Sequence, residues 1–306
     1  MGKYLFKRAI RGVVTLVGIM IVVFLITHAI GDPALLMMPD SYTNEMLWYT
    51  RERMGLNKPL IAQFGDFVLN ALEGDFGQSI RHEMSSRTML FNALGPTLIL
   101  ATAALILTAG IGVPMGVVAA LKPRSWVDSL VTGISLGGIS LPEFWLALVF
   151  IALFAVNLHL FPTSGYGTLA HVVLPAIVLS ARPISRVAQI TRSSMLDELG
   201  KHYTVTAYAK GLRKRQVVIG HVLKNAGIGI ISMVGIEAAE VFAGRTVICE
   251  VIFSWPGVGW LAYRALFSMD FPLIQTVVLW AALVTVVVNL ITDIAYAWFD
   301  PRIRYA

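Results

Sequence analysis

Long stretches of apolar residues constrain this chain more than any other feature of its sequence. The stretch from Gly12 to Ile30 contains no Asp, Glu, Lys or Arg, and a helix needs about 20 mainly apolar residues to cross a lipid bilayer. Five segments meet this requirement, at residues 11–30, 96–121, 130–156, 226–248 and 275–299. Each of them is therefore predicted to be a membrane-spanning helix.

A sixth segment, residues 172–192, is long enough to span but carries charges. Its apolar part is interrupted by Arg182, Pro183 and Arg186. It spans if the two arginines lie at the cytoplasmic end and extend their charged groups toward the membrane surface. With this segment counted, the chain has about six transmembrane helices, and both of its ends face the same side of the membrane.

The composition indicates that the bilayer is the solvent for much of the chain. Hydrophobic residues make up 57% of the sequence and charged residues only 14%, with a mean hydropathy of +0.73. Soluble domains are about a quarter charged. We therefore expect an all-α membrane protein. Close helix packing is predicted at Gly112 and Gly116, which are four residues apart in the second span.

Lysine and arginine placement predicts the orientation of the chain. With the N-terminus inside, the inner segments hold 17 of the 24 basic residues and the outer segments hold six. Nine of the 17 lie within residues 182–224 alone. Basic residues concentrate on the cytoplasmic side of membrane proteins, so both termini are predicted to be cytoplasmic. The net charge of +6 is then a topology signal, and no nucleic-acid partner is expected.

Three regions follow from these spans. Residues 1–30 are the N-terminal segment with the first transmembrane helix, which we expect to be uncleaved because its apolar run exceeds that of a signal peptide. Residues 31–95 form an extracytoplasmic loop subdomain, with an amphipathic helix expected over 60–72 from the helical spacing of its apolar residues. Residues 96–306 form a five-helix core, with a basic cytoplasmic loop at about 193–224.

The search for catalytic and phosphate-binding motifs does not indicate an enzyme. The sequence has neither an HExxH zinc motif nor a GxxxxGK[ST] phosphate loop. It has a single cysteine, Cys249, which excludes an intrachain disulfide. We expect no catalytic residue, metal site or cofactor in the chain itself. Energy for any transport must come from a partner subunit or an ion gradient.

The inner loop carries the most specific pattern in the sequence. It resembles the cytoplasmic "EAA" loop of bacterial ABC importer permeases, and more closely that of the dipeptide, oligopeptide and nickel group, as in the first permease subunit of dipeptide, glutathione and nickel importers. The resemblance extends over nearly the whole chain, from Gly31-Asp32-Pro33-Ala34 to Asp300-Pro301-Arg302. The loop residues that match are Arg192, Ser194, Met195, Leu196, Leu199, Tyr203, Thr206, Ala207, Ala209, Lys210, Gly211, Leu212, His221, Leu223, Asn225 and Ala226.

This resemblance implies a docking site for an ATPase subunit. In such a loop, a short helix would sit in a cleft of the ATPase and pass its movement to the spanning helices. The residues assigned to it are Tyr203, Thr206, Ala207, Ala209, Lys210, Gly211 and Leu212. Gly211 would end the helix, as glycine often does. Val205 stands where the general pattern has glutamate and Thr206 replaces its first alanine, so an acidic contact at that point is not expected.

The resemblance also implies an assembly in the bacterial inner membrane, with a fold like that of type I ABC importer permeases. This multi-pass chain would pair with a second homologous permease. Two ATPase subunits would bind ATP and Mg²⁺, and an extracytoplasmic binding protein would deliver the solute. Di- or oligopeptides are the expected solutes, with nickel or another metal chelate as the alternative. A secondary transporter would show repeated halves with broken helices at matching positions, which the sequence does not indicate.

Three charged residues lie within the fifth predicted span. Glu237 and Glu240 are three residues apart and share a helix face, and Arg245 follows them. Charges are costly in hydrocarbon and usually face a pore or a partner. One interpretation is that the three line the translocation path and favour a cationic or amine-bearing solute. The other is a structural ion pair or a packing contact with the second permease.

Overall fold

A computed structural model describes residues 2–30, 33–36, 38, 41–53, 55–82 and 84–299 of the chain. The predicted motif residues Gly31, Asp32 and 300–302 lie outside the described residues. The described chain is built of helices, with one isolated β-bridge between Gln78 and Ser85. The helices are α1 (Gly2–Ile30), α2 (Pro33–Leu36), α3 (Asn44–Arg53), α4 (Leu60–Glu73), α5 (Ser86–Leu107), α6 (Val113–Leu121), α7 (Trp126–Ser140), α8 (Glu143–Phe150), α9 (Leu169–Leu199), α10 (His202–Ala209), α11 (Lys214–Val217), α12 (Leu223–Glu240), α13 (Thr246–Ile252), α14 (Val258–Phe267) and α15 (Phe271–Phe299).

Five helical stretches are long and apolar enough to cross a membrane. They are Phe6–Ala29, Ser86–Leu121, Leu169–Leu199, Lys214–Ile252 and Phe271–Ile291. A sixth is the pair Trp126–Ser140 and Glu143–Asn157, which is bent by 106°. The bend falls at Leu141-Pro142, where both residues have extended backbone, because proline disfavours helical geometry in the residue before it. The all-α fold with five to six spans is confirmed, the sixth being present if the bent pair forms one broken span.

Helix α9 is the charged fourth span, and other helices surround it. It runs unbroken for 31 residues through Pro175 and Pro183, and it packs against α6, α7, α8, α12 and α13. Half of its most apolar stretch is buried inside the protein. A helix covered by other helices needs fewer lipid-facing apolar side chains than an outer one. This burial is the physical reason for its low hydropathy.

Glycines let the neighbouring helices approach α9 closely. A Cβ on Gly112 would lie 2.9 Å from the Ile184 carbonyl oxygen, and a Cβ on Gly116 would lie 2.5 Å from that of Ala188. On α7, a Cβ on Gly138 would collide with the Ser185 hydroxyl. Small residues permit such helix contacts in membranes. The packing predicted for Gly112 and Gly116 is confirmed, with α9 as the partner helix.

The chain divides into two compact units, and the first comprises Met1–Gly95 with Gly257–Leu290. In it, α1 packs on α4 through Phe24, whose ring centroid lies 5.3 Å from that of Phe64 and 5.8 Å from that of Phe67. The predicted amphipathic helix is therefore present, as α4. Residues 31–95 belong to this unit, and their location outside the membrane stays a prediction.

Asp270 organises a second part of this unit. Its side chain is fully buried and accepts hydrogen bonds from the Ser79 hydroxyl and from the Ile80 backbone N–H, the latter at 3.2 Å. It also accepts from the Leu273 N–H at the start of α15. A carboxylate at this position satisfies a free N–H of the first helical turn. One side chain thus holds the 77–85 loop against the start of the last span.

The second unit comprises Pro96–Pro256 with Ile291–Ala306. Its core contains large buried side chains from α5, α9 and the end of α13, among them Leu100, Leu179 and Phe253. Trp255 is also fully buried, and its indole N–H donates to the Pro96 carbonyl oxygen at 2.9 Å. A buried tryptophan needs such an acceptor for its N–H. This unit contains the inner loop and the charged residues of the fifth span.

Candidate functional site

The predicted docking loop contains a short helix, α10, fixed at its start by Glu198. The Tyr203 hydroxyl donates to Glu198 Oε2 at 2.6 Å and the Lys201 ammonium donates to Oε1 at 2.6 Å. The Thr204 hydroxyl donates to the Glu198 backbone carbonyl at 2.9 Å. The bond to Glu198 raises the pKa of Lys201 above its ordinary value. These contacts tie the first turn of α10 to the last turn of α9.

The end of α10 is a Schellman turn built on Gly211. The Gly211 N–H donates to the Tyr208 carbonyl at 2.9 Å, and the Leu212 N–H donates to the Ala207 carbonyl at 3.3 Å. Gly211 has φ +82°, a conformation that glycine adopts without the steric penalty of a Cβ. Leu212 packs onto the same hydrophobic cluster as Ala207. The sequence signal for a glycine-ended helix is confirmed.

One face of α10 packs inward. Ala207 is buried in a cluster with Met195 of α9 and with Val217, Val218 and Val222 of the following segment. Tyr203 and Leu212 are half-buried at the two ends of the same face. Since these side chains meet the chain's own core, they are positioned to fix the direction of α10.

The opposite face of α10 is exposed. Of the predicted docking residues, Thr206, Ala209, Lys210 and Gly211 lie on it. Val205 stands beside them with 63% of its surface exposed, so the position that carries glutamate in the general pattern presents an apolar side chain here. The structure thus divides the seven predicted residues into four exposed ones and three that pack inward.

A second site is a network of five charged side chains in the same unit. Arg245 pairs with three glutamates: its Nε lies 3.2 Å from Glu143 Oε1, its Nη1 2.8 Å from Glu237 Oε2, and its Nη2 2.9 Å from Glu240 Oε2. Arg186 Nη1 lies 2.9 Å from Glu237 Oε1 and 3.1 Å from Glu240 Oε1. Each carboxylate and each guanidinium therefore has an opposite charge in contact, which offsets the cost of burying it.

Sequence reasoning grouped three members of this network and did not pair Arg186 or Glu143 with them. Glu237, Glu240 and Arg245 do come together. Arg186 was expected to extend toward the membrane surface, but it pairs with Glu237 and Glu240 instead. Its partners lie 51 and 54 residues away along the chain, so no local pattern identifies them. The available signal was that Arg186 and Glu143 are themselves charges in predicted spans.

Breaks in the helical backbone next to these residues determine where their charged side chains lie. Glu143 directly follows the break at Pro142, and Arg245 directly follows Gly244, which has φ +121° and interrupts the helical geometry. Arg186 lies three residues after Pro183 in α9. Positive φ at this value requires glycine. Two helix breaks and a proline-containing helix therefore bring the network together.

A further ion pair joins α9 to α7. Arg192 near the end of α9 contacts Asp128 through two hydrogen bonds, one of them 2.8 Å long from Nη2 to Oδ2. Asp128 is buried, and it also accepts from the Arg124 backbone N–H at 2.9 Å. A two-bond arginine–carboxylate pair is geometrically specific. It fixes the start of α7 to the cytoplasmic end predicted for α9.

One short sequence pattern resembles a hydrolase motif but does not have the structure that the motif requires. Gly133-Ile134-Ser135-Leu136-Gly137 has the GxSxG spacing of hydrolase nucleophiles, but it lies wholly within helix α7, and Ser135 is fully buried. A nucleophile elbow needs an exposed serine on a strand-to-helix turn. Among the described residues there is also no group of three His, Cys, Asp or Glu side chains that could hold a metal ion.

Two parts of the chain match known protein families. Residues 112–305 match the family described as binding-protein-dependent transport system inner membrane component, and residues 1–85 match its N-terminal companion. The chain belongs to this family. It is a multi-pass inner-membrane permease of the ABC importer class, a transport subunit and not a catalytic one.

Curated relatives match over their full length. The chain is 37% identical over 317 residues to the oligopeptide transport system permease protein AppB of Bacillus subtilis, and 35% identical over 314 residues to the probable peptide ABC transporter permease protein y4tP of Sinorhizobium fredii, with 100% of both chains covered in each case. It is 34% identical over 310 residues to the glutathione transport system permease protein GsiC of Escherichia coli, with 99% of both chains covered. The family resemblance predicted from the inner loop is confirmed.

A solved structure shows the same fold. A chain of the MetNI methionine ABC transporter, in an inward-facing conformation, aligns with a TM-score of 0.53 and 17% sequence identity. The alignment covers 69% of this chain and 96% of that chain. At this identity the likeness concerns the fold alone, and it confirms the predicted ABC importer permease architecture.

Proposed function

We propose that this chain is the translocation subunit of an ATP-driven importer for di- or oligopeptides or a related small solute. The three relatives described above carry peptide, oligopeptide or glutathione in their names, and none of those names refers to a metal. Peptide-like solutes are therefore favoured over a nickel chelate. An extracytoplasmic binding protein delivers the solute, and a second homologous permease completes the membrane path.

The energy source in this proposal is ATP hydrolysed on two separate subunits, which also hold the Mg²⁺. The observation that carries it is the form of α10. Both of its ends are fixed by hydrogen bonds, and its outer face, with Thr206, Ala209 and Lys210, is left exposed. A short helix that is fixed at both ends and exposed along its outer face fits a cleft of another subunit. This chain needs no nucleotide site of its own.

Movement of α10 would be transmitted directly to the membrane-spanning helices. Its start is bonded to α9 through Glu198, and its inner face shares a cluster with α12 through Ala226 and Ile230. Helix α9 in turn packs on α6, α7 and α8, and Arg192 joins it to Asp128. Closely packed elements move as rigid bodies. A displacement of the ATPase would therefore reorient several spans together.

Thiol labelling tests the docking face. In a Cys249→Ser background, which removes the single native cysteine, the Thr206→Cys variant carries one exposed thiol. We expect a maleimide to label it in the isolated permease and to be excluded in the complex with the ATPase. Lys122→Cys, exposed in the other predicted inner loop, is the control and should label in both. Equal labelling of the Thr206→Cys variant in both states would contradict the proposal.

A further inference from the structure

The five-residue charged network has a buried half and an accessible half. The Glu237 side chain is 0% exposed, and those of Arg245 and Glu143 are 10% and 13% exposed. In contrast, the Arg186 side chain is 32% exposed and that of Glu240 is 41% exposed. One guanidinium and one carboxylate therefore lie side by side at the accessible edge, with 3.1 Å between Arg186 Nη1 and Glu240 Oε1.

The accessible pair can separate without leaving either charge unpartnered. Glu240 Oε2 is also held by Arg245 at 2.9 Å, and Arg186 Nη1 is also held by Glu237 at 2.9 Å. The contact between Arg186 and Glu240 is thus the bond between the two accessible members of the network, and an incoming group can replace it without leaving either charge unpartnered. In the buried half, breaking the Glu143–Arg245 pair would separate Glu143 from the one arginine that it contacts in the network, which is strongly unfavourable.

The environment restricts what the accessible edge can face. Exposed charges within a membrane span are costly against hydrocarbon and face water-filled space or protein. A carboxylate binds an ammonium group by donated N–H bonds, and a guanidinium binds a carboxylate in matched planar geometry. Because the edge offers one of each, its chemical complement carries both an ammonium and a carboxylate.

We infer that Arg186 and Glu240 form a subsite for zwitterionic solutes on the translocation path. The solute ammonium replaces Arg186 as a partner of Glu240, and the solute carboxylate replaces Glu240 as a partner of Arg186. This inference rests on the proposed import function and specifies its substrate class. It also changes the expectation from sequence, in which Glu237, Glu240 and Arg245 favoured a cationic or amine-bearing solute.

Saturation-transfer NMR on the whole transporter complex in lipid nanodiscs tests the subsite, with the binding protein omitted. The probes are alanyl-alanine, its N-acetyl form and its carboxamide form. We expect the unmodified dipeptide to bind about tenfold better than either blocked form, because each loses one charged hydrogen-bonding group. The Glu240→Gln variant should remove the preference over the acetyl form only. The Arg186→Gln variant should remove the preference over the carboxamide only.

Two control variants separate recognition from folding. Arg186→Lys keeps the positive charge and should keep the preference over the carboxamide. Glu73→Gln removes an exposed carboxylate at the end of α4 and should change nothing. Equal binding of all three probes, tighter binding of the cationic carboxamide, or an equal loss for every probe in both Gln variants would overturn the subsite.

Uptake by the same variants in proteoliposomes, with the binding protein present, distinguishes this inference from the proposed function. If the probes show no zwitterion preference while uptake still requires ATP, only the subsite is refuted. If uptake proceeds without ATP, the proposed function itself fails.

Discussion

Replacement of Gly211 by alanine isolates the conformational role of the turn that ends α10. Gly211 has φ +82°, and no atom lies within 4 Å of the position that a Cβ would take. Alanine therefore meets no steric obstacle from the surroundings, and the cost lies in the backbone alone. A non-glycine residue in this left-handed region costs about 1 kcal/mol, which corresponds to about a fivefold shift of an equilibrium.

The assay compares solute uptake with ATP hydrolysis in proteoliposomes that contain the whole complex. Because the turn sets the direction of the exposed face of α10, we expect the Gly211→Ala variant to transport about fivefold less solute per ATP hydrolysed. Membrane insertion should be normal. Gly211→Asn is the first control, since asparagine tolerates left-handed geometry better than alanine, and it should retain more coupling.

A second control makes the same glycine-to-alanine substitution at a position where the backbone does not have a positive φ. Gly220 lies in the same segment, has no positive φ and has nothing within 4 Å of its Cβ position. The Gly220→Ala variant should couple normally. Normal coupling in the Gly211→Ala variant, or an equal defect in both alanine variants, would refute the reasoning from backbone geometry.

Three further predictions concern packing and capping. The Gly116→Ala variant should lower the thermal unfolding midpoint, at a cost of about 1–3 kcal/mol for overpacking, because its Cβ would meet the backbone of α9. The Gly110→Ala variant, with open space at its Cβ position, should be neutral. Equal midpoints for the two variants would count against the helix contact. Ala207→Leu should destabilise the buried face of α10, whereas Ala209→Leu should leave stability unchanged and weaken ATPase co-purification; the reverse pattern would contradict the assignment of the two faces. Asp270→Asn should cost about 1 kcal/mol and speed proteolysis of the 77–85 loop, and an unchanged cleavage rate would show that the buried carboxylate does not hold it.

The spans were predictable because the hydrophobic requirement of a bilayer acts on each segment separately. Residues 11–30 satisfy it regardless of what they touch. Helix α9 was harder to predict, because whether it can span the membrane depends on the helices that cover it. Arg186 lowers its hydropathy, yet Glu237 and Glu240 neutralise that charge from 51 and 54 residues away. A local average of hydropathy contains no information on such partners.

The docking loop shows a similar division between local and distant causes. The stop at Gly211 was predictable, because a glycine after a short helical pattern is a local signal. The inward position of Ala207 and the outward position of Ala209 depend on where α9 and α12 lie, and the loop sequence does not state this. Gly244 is one of 26 glycines, and only the fold shows that its positive φ directs Arg245 into the network.

Solute accumulation in proteoliposomes under two alternative energy sources tests the central claim most directly. The vesicles contain this permease with the proposed second permease and ATPase subunits, and a loaded binding protein lies on the side opposite the docking loop. We predict accumulation when ATP and Mg²⁺ are supplied on the side of α10, and none from a proton gradient alone. Accumulation driven by the proton gradient in the absence of ATP would contradict the account.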